Sequence, residues 1–206
     1  MQQYLDSSLY FEIKRKTFHL SAIFFPLLYI FISKYIMCSI LFVACAIILF
    51  IDIYKNHSIQ IKELAESFFN PILRPQEKNG QFFLSGVSYM FSGLFLSALL
   101  FSKGLTINAW LILIISDSFA AIIGIIYGAR LSNGKSFAGS IAFFISAILV
   151  SVFSYFLAPH NITFGIIIAA CFATTAVEFF SSSIKINDNF TIPLTYSLSV
   201  IILNLI

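Results

Sequence analysis

The sequence predicts an all-α polytopic membrane protein: a bundle of about seven transmembrane helices that forms a single domain over residues 1–206. Of the 206 residues, 59% are hydrophobic and only 10% are charged, and the mean hydropathy is +0.95. A soluble core does not need that much apolar material, so the composition predicts helices surrounded by lipid. The formal net charge of +3 is too small to indicate a nucleic-acid partner.

Seven apolar runs divide the chain, and each is close to the length that crosses a bilayer. The first and last are short for a full crossing, which predicts tilting or local thinning of the bilayer. Segment 55–81 is polar and carries apolar residues at helical spacing, which predicts a cytoplasmic loop with an interfacial amphipathic helix; a solvated linker is the alternative. The runs are 18–33, 36–54, 82–101, 105–127, 137–157, 162–181 and 190–206.

The basic residues predict that the N-terminus is cytoplasmic. With that orientation, only Lys34 and Lys103 of the 12 lysines and arginines lie on the outer side, as the positive-inside rule requires. None of the 9 acidic residues falls in an outer loop, so we expect the chemistry at the cytoplasmic face. The cysteines lie inside apolar runs without disulfide or metal spacing and are predicted to be small buried residues. They are Cys38, Cys45 and Cys171.

A stripe of polar residues precedes the first apolar run. Glu12, Arg15, Lys16 and His19 are spaced i, i+3, i+4 and i+7, which places them on one face of a helix. An acid, two cations and an imidazole at a membrane edge suit the binding and processing of a phosphate group. The alternative is a basic anchor that sets orientation, although an anchor requires neither a glutamate nor a histidine in register.

Asp117 lies well inside the fourth apolar run, where an ionisable group costs at least about 2.5 kcal/mol. Ala120, Gly124 and Gly128 follow it on the same helical face, together with Ala121 beside them. Small residues permit close approach of either another helix or a ligand. The pattern favours a functional acid with a lipid passing along the small residues, and a helix-packing seam is the alternative.

The loop after this run contains Gly134, Lys135, Ser136 and Gly139. It is not a P-loop, because five residues separate Gly128 from Gly134 and the preceding element is a membrane helix rather than a strand. A lysine, a serine and the amides that begin the next helix nevertheless suit a phosphate group. A cytoplasmic turn with an orienting lysine is the alternative.

Glu178, Asp188 and Asn189 supply oxygen atoms near the cytoplasmic end of the last two runs. Such ligands suit Mg²⁺, although Asp188 and Asn189 are also typical of a turn or a helix cap. Cations for phosphate and acids for Mg²⁺ at one membrane face indicate phosphoryl or nucleotidyl transfer to or from a lipid, because that chemistry needs positioning and charge rather than a covalent nucleophile.

Four motifs in these stretches resemble the polytopic CTP-dependent lipid kinases, which include phytol kinase, dolichol kinase and the CTP-dependent diacylglycerol kinase. The phosphatidate cytidylyltransferases are similar at a greater distance. The chain departs from the family pattern at Ser116, Ala138 and Asn187, where the family often has Gly, Glu and Asp. The matched positions are Glu12, Arg15, Lys16 and His19; Asp117, Ala120, Gly124 and Gly128; Lys135, Ser136, Gly139 and Ser140; and Glu178, Asp188, Asn189 and Pro193.

The resemblance implies CTP as phosphate donor, Mg²⁺ as cofactor and a lipid alcohol as acceptor: phytol, a polyprenol, dolichol or diacylglycerol. His19 or Asp117 is expected to accept the hydroxyl proton. Asp117, Glu178 and Asp188 are expected to hold the metal. The alternatives are synthesis of a CDP-lipid and a non-enzymatic lipid transporter or scaffold. The residues expected to bind the nucleotide are Arg15, Lys16, Gly128, Lys135, Ser136 and Gly139.

Overall fold

The computed structural model describes residues 2–55, 57–61, 63, 84–129, 131, 134–157, 162–181, 183 and 186–205. These ranges contain helices and no strand, which confirms the predicted all-α class. Helices α5 and α6 are continuous through a π-helical turn, Ile112–Ser116. The helices are α1 Gln2–Ser21, α2 Phe24–Phe31, α3 Lys34–Tyr54, α4 Gly86–Leu100, α5 Lys103–Leu111, α6 Asp117–Tyr127, α7 Phe137–Leu157, α8 Phe164–Phe180 and α9 Asp188–Asn204.

Three helical stretches in the described ranges are long and apolar enough to cross a membrane: Lys34–Tyr54, Lys103–Tyr127 and Phe137–Leu157. Gly86–Leu100 and Phe164–Phe180 are shorter apolar helices. All five match predicted apolar runs to within a few residues. Most of the predicted amphipathic helix, in segment 55–81, lies outside the described residues.

The first predicted run, 18–33, is not one helix. It is divided between the end of α1 and the eight residues of α2, with a break at Ala22 and Ile23. Pro26 explains the break, because it has no N–H to bond the carbonyl of Ala22 and its ring crowds that carbonyl. The Ala22 carbonyl instead accepts the N–H of Phe25 at 2.9 Å.

The continuous helix from α5 to α6 lies at the centre of the bundle. Every residue from 105 to 114 is buried, and α2, α7 and α9 pack around α5. Its polar side chains are bonded inside this apolar surrounding: the Trp110 indole donates to the Ser97 hydroxyl at 2.7 Å, and the Asn108 amide donates to the Tyr196 hydroxyl at 2.8 Å. Buried hydrogen bonds of this kind fix the rotation of a helix, because breaking them leaves unpaired polar atoms.

Two lysines cap helices at the end of the bundle where α2 and α4 finish. The Lys103 ammonium donates to the carbonyls of Ile30 and Ile32 at 3.0 and 2.9 Å, and the Lys34 ammonium donates to the carbonyl of Phe101 at 2.8 Å. The last carbonyls of a helix lack intrahelical partners and carry partial negative charge. Lys34 and Lys103, the two lysines predicted on the outer side, therefore have a structural role there.

The first turn of α9 rests directly on α4. A Cβ built at Gly93 lies 2.8 Å from the carbonyl oxygen of Asn189 and 3.1 Å from the Cα of Phe190. Both are backbone atoms, which cannot rotate away as a side chain does. Glycine at position 93 therefore sets the separation of the two helices.

We expect Gly93→Ala to lower the free energy of unfolding by about 1–3 kcal/mol, because α9 must move to admit the methyl group. Gly165→Ala is the matched control: it lies in α8, and a Cβ there has no atom within 4 Å. That control is expected to be neutral or stabilising by up to about 1 kcal/mol. Thermal unfolding of the purified protein in detergent measures both variants, and equal stability of the two would contradict this packing.

Candidate functional site

Five segments bring the predicted site residues to one end of the bundle. They are the second half of α1, the start of α6, the turn before α7, the end of α8 and the start of α9. Direct contacts join residues that are far apart in the sequence, such as Lys16 with Asp117 and Lys135 with Glu178. The predicted motifs therefore meet at a single site.

The polar stripe of α1 docks against the central helix. The Lys16 ammonium forms a hydrogen-bonded ion pair with the Asp117 carboxylate, and both residues are buried, with 1% and 3% of their surfaces exposed. Arg15 is half-buried and pairs with Glu12 through its Nε atom, at 3.2 Å from Oε1, and through Nη2. A basic membrane anchor would leave these cations at the surface. The contacts instead make the stripe part of a buried polar site.

The ring of His19 has a defined tautomer. Its Nε2 atom lies 3.1 Å from the carbonyl oxygen of Leu113 and 3.8 Å from Oδ2 of Asp117. A carbonyl oxygen only accepts, so Nε2 carries the hydrogen and the neutral ring keeps its lone pair on Nδ1. His19 is thereby oriented with Nε2 as the donor and with the lone pair of the neutral ring on Nδ1.

The π-helical turn Ile112–Ser116 sets the direction of Asp117, which comes immediately after it. Such a turn holds one more residue than an α-helical turn, and it therefore rotates the later part of the helix relative to the earlier part. Just after the turn in the sequence, the Ser118 hydroxyl donates to the carbonyl of Ile114 at 2.7 Å. The sequence does not predict the turn, because four of its five residues are apolar and it contains neither glycine nor proline.

Lys135 connects the two late acids. Its ammonium lies 2.5 Å from Oε1 of Glu178 and 2.8 Å from Oδ2 of Asp188. Burial alone lowers the pKa of Lys135, but the carboxylates of Asp188 and Glu178 outweigh it and raise the pKa above its ordinary value. Lys135 is therefore a permanent cation at physiological pH.

Asp117, Glu178 and Asp188 form a cluster that fits a divalent cation. Each offers one carboxylate oxygen, and these three atoms lie within 4.8 Å of one another. Oε2 of Glu178 is buried and has no hydrogen-bond partner. Mg²⁺ prefers carboxylate oxygens and keeps several waters, so three acids from three helices are a suitable ligand set.

The charges of the cluster favour binding of a metal cation first and of an anion after it. Among the described residues that form its ion pairs, the three carboxylates, counted as ionised, face the ammonium groups of Lys16 and Lys135, which leaves a surplus of one negative charge. Binding of one Mg²⁺ reverses the sign of that surplus, because the ion carries two positive charges. The loaded site would then attract a polyphosphate.

The small residues of α6 pack against the start of α7. A Cβ at Gly124 lies 2.8 Å from the hydroxyl oxygen of Ser136, and a Cβ at Gly139 lies 2.8 Å from the carbonyl oxygen of Ala120. The Gly139 N–H donates to the Ser136 hydroxyl at 3.1 Å, and Gly128 is also in close contact with Ser136. The contacts agree with the packing-seam alternative at Gly124 and Gly128. A lipid cannot pass between these two glycines and Ser136, because the start of α7 fills that space.

The comparison with curated proteins gives a full-length relative. The protein named "Uncharacterized protein RP860" of Rickettsia prowazekii (strain Madrid E) is 48% identical to the chain over 192 residues, which cover 93% of the chain and 94% of that protein. This chain belongs to the RP860 family. No protein-family model matches the RP860-family chain, and no solved structure matches it.

We expect Lys16→Met in this RP860-family protein to lower the free energy of unfolding by about 3–5 kcal/mol, because the buried Asp117 carboxylate loses its ion partner. Lys14→Met is the matched control, because Lys14 is exposed on the same helix and its loss changes stability by less than about 0.5 kcal/mol.

The double variant Lys16→Met/Asp117→Leu should recover most of the lost stability, since no unpaired charge remains buried. Thermal unfolding in detergent compares all three proteins. If Lys16→Met proved as stable as Lys14→Met, the buried ion pair would be excluded.

Proposed function

We propose that this protein is a membrane lipid kinase that transfers the γ-phosphate of CTP to a lipid alcohol, with Mg²⁺ as cofactor. The observation that carries the proposal is the convergence of Asp117, Glu178 and Asp188 beside Lys135. Phosphoryl transfer depends on positioned cations and metal ligands, and it requires no covalent nucleophile. The resemblance of the motifs to the CTP-dependent lipid kinases supports the choice of nucleotide.

Each residue of the site has a proposed role. Asp117, Glu178 and Asp188 hold Mg²⁺, which when bound neutralises charge on the phosphates. Fixed positive charge for the phosphate oxygens comes from Lys135, Lys16 and Arg15. The Nδ1 lone pair favours His19 over Asp117 as acceptor of the lipid hydroxyl proton, because the Asp117 carboxylate is already engaged by Lys16.

A pair of stacked aromatic rings beside the site supports a lipid acceptor. Phe137 and Phe179 directly follow Ser136 and Glu178 in the sequence, and their rings stack with centroids 5.5 Å apart. Phe137 is 67% exposed. We propose that the lipid alcohol approaches from the side of these rings, in place of the closed strip of small residues on α6.

The proposed setting is a multi-pass protein of about seven spans whose N-terminus and active site face the cytoplasm. The distribution of basic residues supports this orientation. The two lysines on the proposed outer side are accounted for separately, because Lys34 and Lys103 cap the ends of α4 and α2. The site lies at the other end of the bundle, where most of the charged residues in the described ranges are found.

The product identifies the reaction. CTP labelled at the γ-phosphate is supplied with Mg²⁺ to the purified protein in detergent, together with phytol, a short polyprenol or diacylglycerol in parallel. We expect label in the lipid phase and CDP in the water phase. Release of pyrophosphate with phosphatidate present would instead establish a cytidylyltransferase, and neither product from folded protein would favour a lipid-binding scaffold.

Loss of a proposed metal ligand should abolish this turnover. We expect Asp117→Asn and Asp188→Asn to lower the rate at least about 100-fold, because each removes a carboxylate that holds the Mg²⁺, and the ion neutralises the charge of the transferred phosphoryl group. Glu63→Gln is the control, since Glu63 is an exposed acid outside the site. Full turnover in Asp117→Asn, with nucleotide still bound tightly, would contradict the assignment.

A further inference from the structure

The carboxylate of Asp188 is held from both sides. Its Oδ2 accepts from Lys135 at 2.8 Å, and its Oδ1 accepts the backbone N–H of Asn189 at 3.1 Å. Asp188 and Asn189 form the first turn of α9, where a helix end is free to fray unless its side chains are bonded elsewhere. The position of this turn therefore determines whether Asp188 reaches the other acids.

Asn189 ties this turn to α4. Its side-chain amide donates to the carbonyl oxygen of Gly86, the first residue of α4, at 3.0 Å, and Asn189 is 5% exposed. The backbone of Asn189 and Phe190 also packs against Gly93, two turns further along α4. Two fixed points on α4 thus set the start of α9, and the first of them is a single side-chain hydrogen bond.

The start of α4 is in turn held by Asp52, a buried acid near the end of α3. Its Oδ2 accepts the N–H of Ser85 and the hydroxyl of Ser88, each at 2.6 Å, and its Oδ1 accepts from Lys55 at 2.8 Å. These contacts surround Gly86, the residue to which Asn189 is bonded. Asp52 is not among the site residues that the sequence predicts.

Capping of α4 alone does not account for Asp52. The Ser85 hydroxyl already accepts the N–H of Ser88 at 3.3 Å, which is the ordinary bond of an N-terminal cap. Burying a second, charged acceptor costs free energy that the serine cap alone does not require. The additional effect of Asp52 is to join the start of α4 to α3, and so to fix the carbonyl that Asn189 uses.

We propose that Asp52 and Asn189 are positioning residues that hold the Asp188 carboxylate in the metal-binding cluster, through the first turn of α4. The metal role of Asp188 rests on the proposed function, whereas the contact of Asp188 with Lys135 does not. Asp52 touches neither substrate nor metal in this arrangement. It determines the position of Asp188 indirectly, through Gly86 and Asn189.

Amine labelling tests the contact without reference to activity. Full-length protein in detergent is treated with a limiting amount of an acetylating reagent, and the modification of each lysine is measured by mass spectrometry. Lys135 is protected by its ion pairs with Asp188 and Glu178. We expect Asp52→Ala and Asn189→Ala to increase labelling of Lys135 several-fold, because Asp188 withdraws from it when the bonds to α4 are removed.

Internal references separate positioning from loosening of the fold. Lys34 and Lys103 at the opposite end should keep their labelling, and Lys55→Gln is the control variant, because it removes the partner of Oδ1 and leaves both bonds of Asp52 to α4. Unchanged labelling of Lys135 would overturn the proposal. An equal increase at Lys34 and Lys103 would also overturn it, since the effect would then be general destabilisation.

Metal binding gives a second readout. Titration with Mn²⁺, followed by electron paramagnetic resonance of the free ion, should show an affinity about tenfold weaker in Asp52→Ala and Asn189→Ala, and unchanged in Lys55→Gln. Absence of Mn²⁺ binding by the unaltered protein would refute the metal site of the proposed function. The labelling of Lys135 would decide the positioning role in that case as well.

Discussion

The buried ion pair between Lys16 and Asp117 is the interaction on which the arrangement of the site depends. It joins α1, which carries four of the motif residues, to the central helix, around which α2, α4, α7 and α9 pack. Two opposite charges are stable in that surrounding only together, because either one alone would be an uncompensated charge in an apolar bundle. Docking of α1 therefore fixes Arg15 and His19 as well, since they share its face.

A second group of charges meets the first at Asp117. Lys135, Glu178 and Asp188 come from the turn before α7 and from α8 and α9, so three separate chain segments must be in place before it forms. Ammonium and carboxylate groups alternate in this cluster. Each cation offsets part of the repulsion between acids that lie within 4.8 Å of one another. The same closeness that makes the acids repel makes them suitable for a divalent cation.

The positions of the helices could be predicted from the sequence, because length and apolar composition determine them. α3, α7 and α8 lie within three residues of their predicted runs at either end. The break at Ala22 required attention to Pro26, whose effect falls four residues before it. The π-helical turn and the role of Asp52 could not be predicted, since both depend on which helices become neighbours. The choice between groove and seam at Gly124 likewise required the position of α7.

The two ends of the bundle use their charges differently, and this difference argues for chemistry at one end. At the end of α2 and α4, the lysines bond to backbone carbonyls, so their charge is used to complete helices. At the other end, the cations Lys16 and Lys135 bond to carboxylates, and two of these, Asp117 and Glu178, cap no helix end. Acids buried for stability alone would be replaceable by apolar side chains. A bound cation would explain both why these acids converge and why Oε2 of Glu178 has no hydrogen-bond partner.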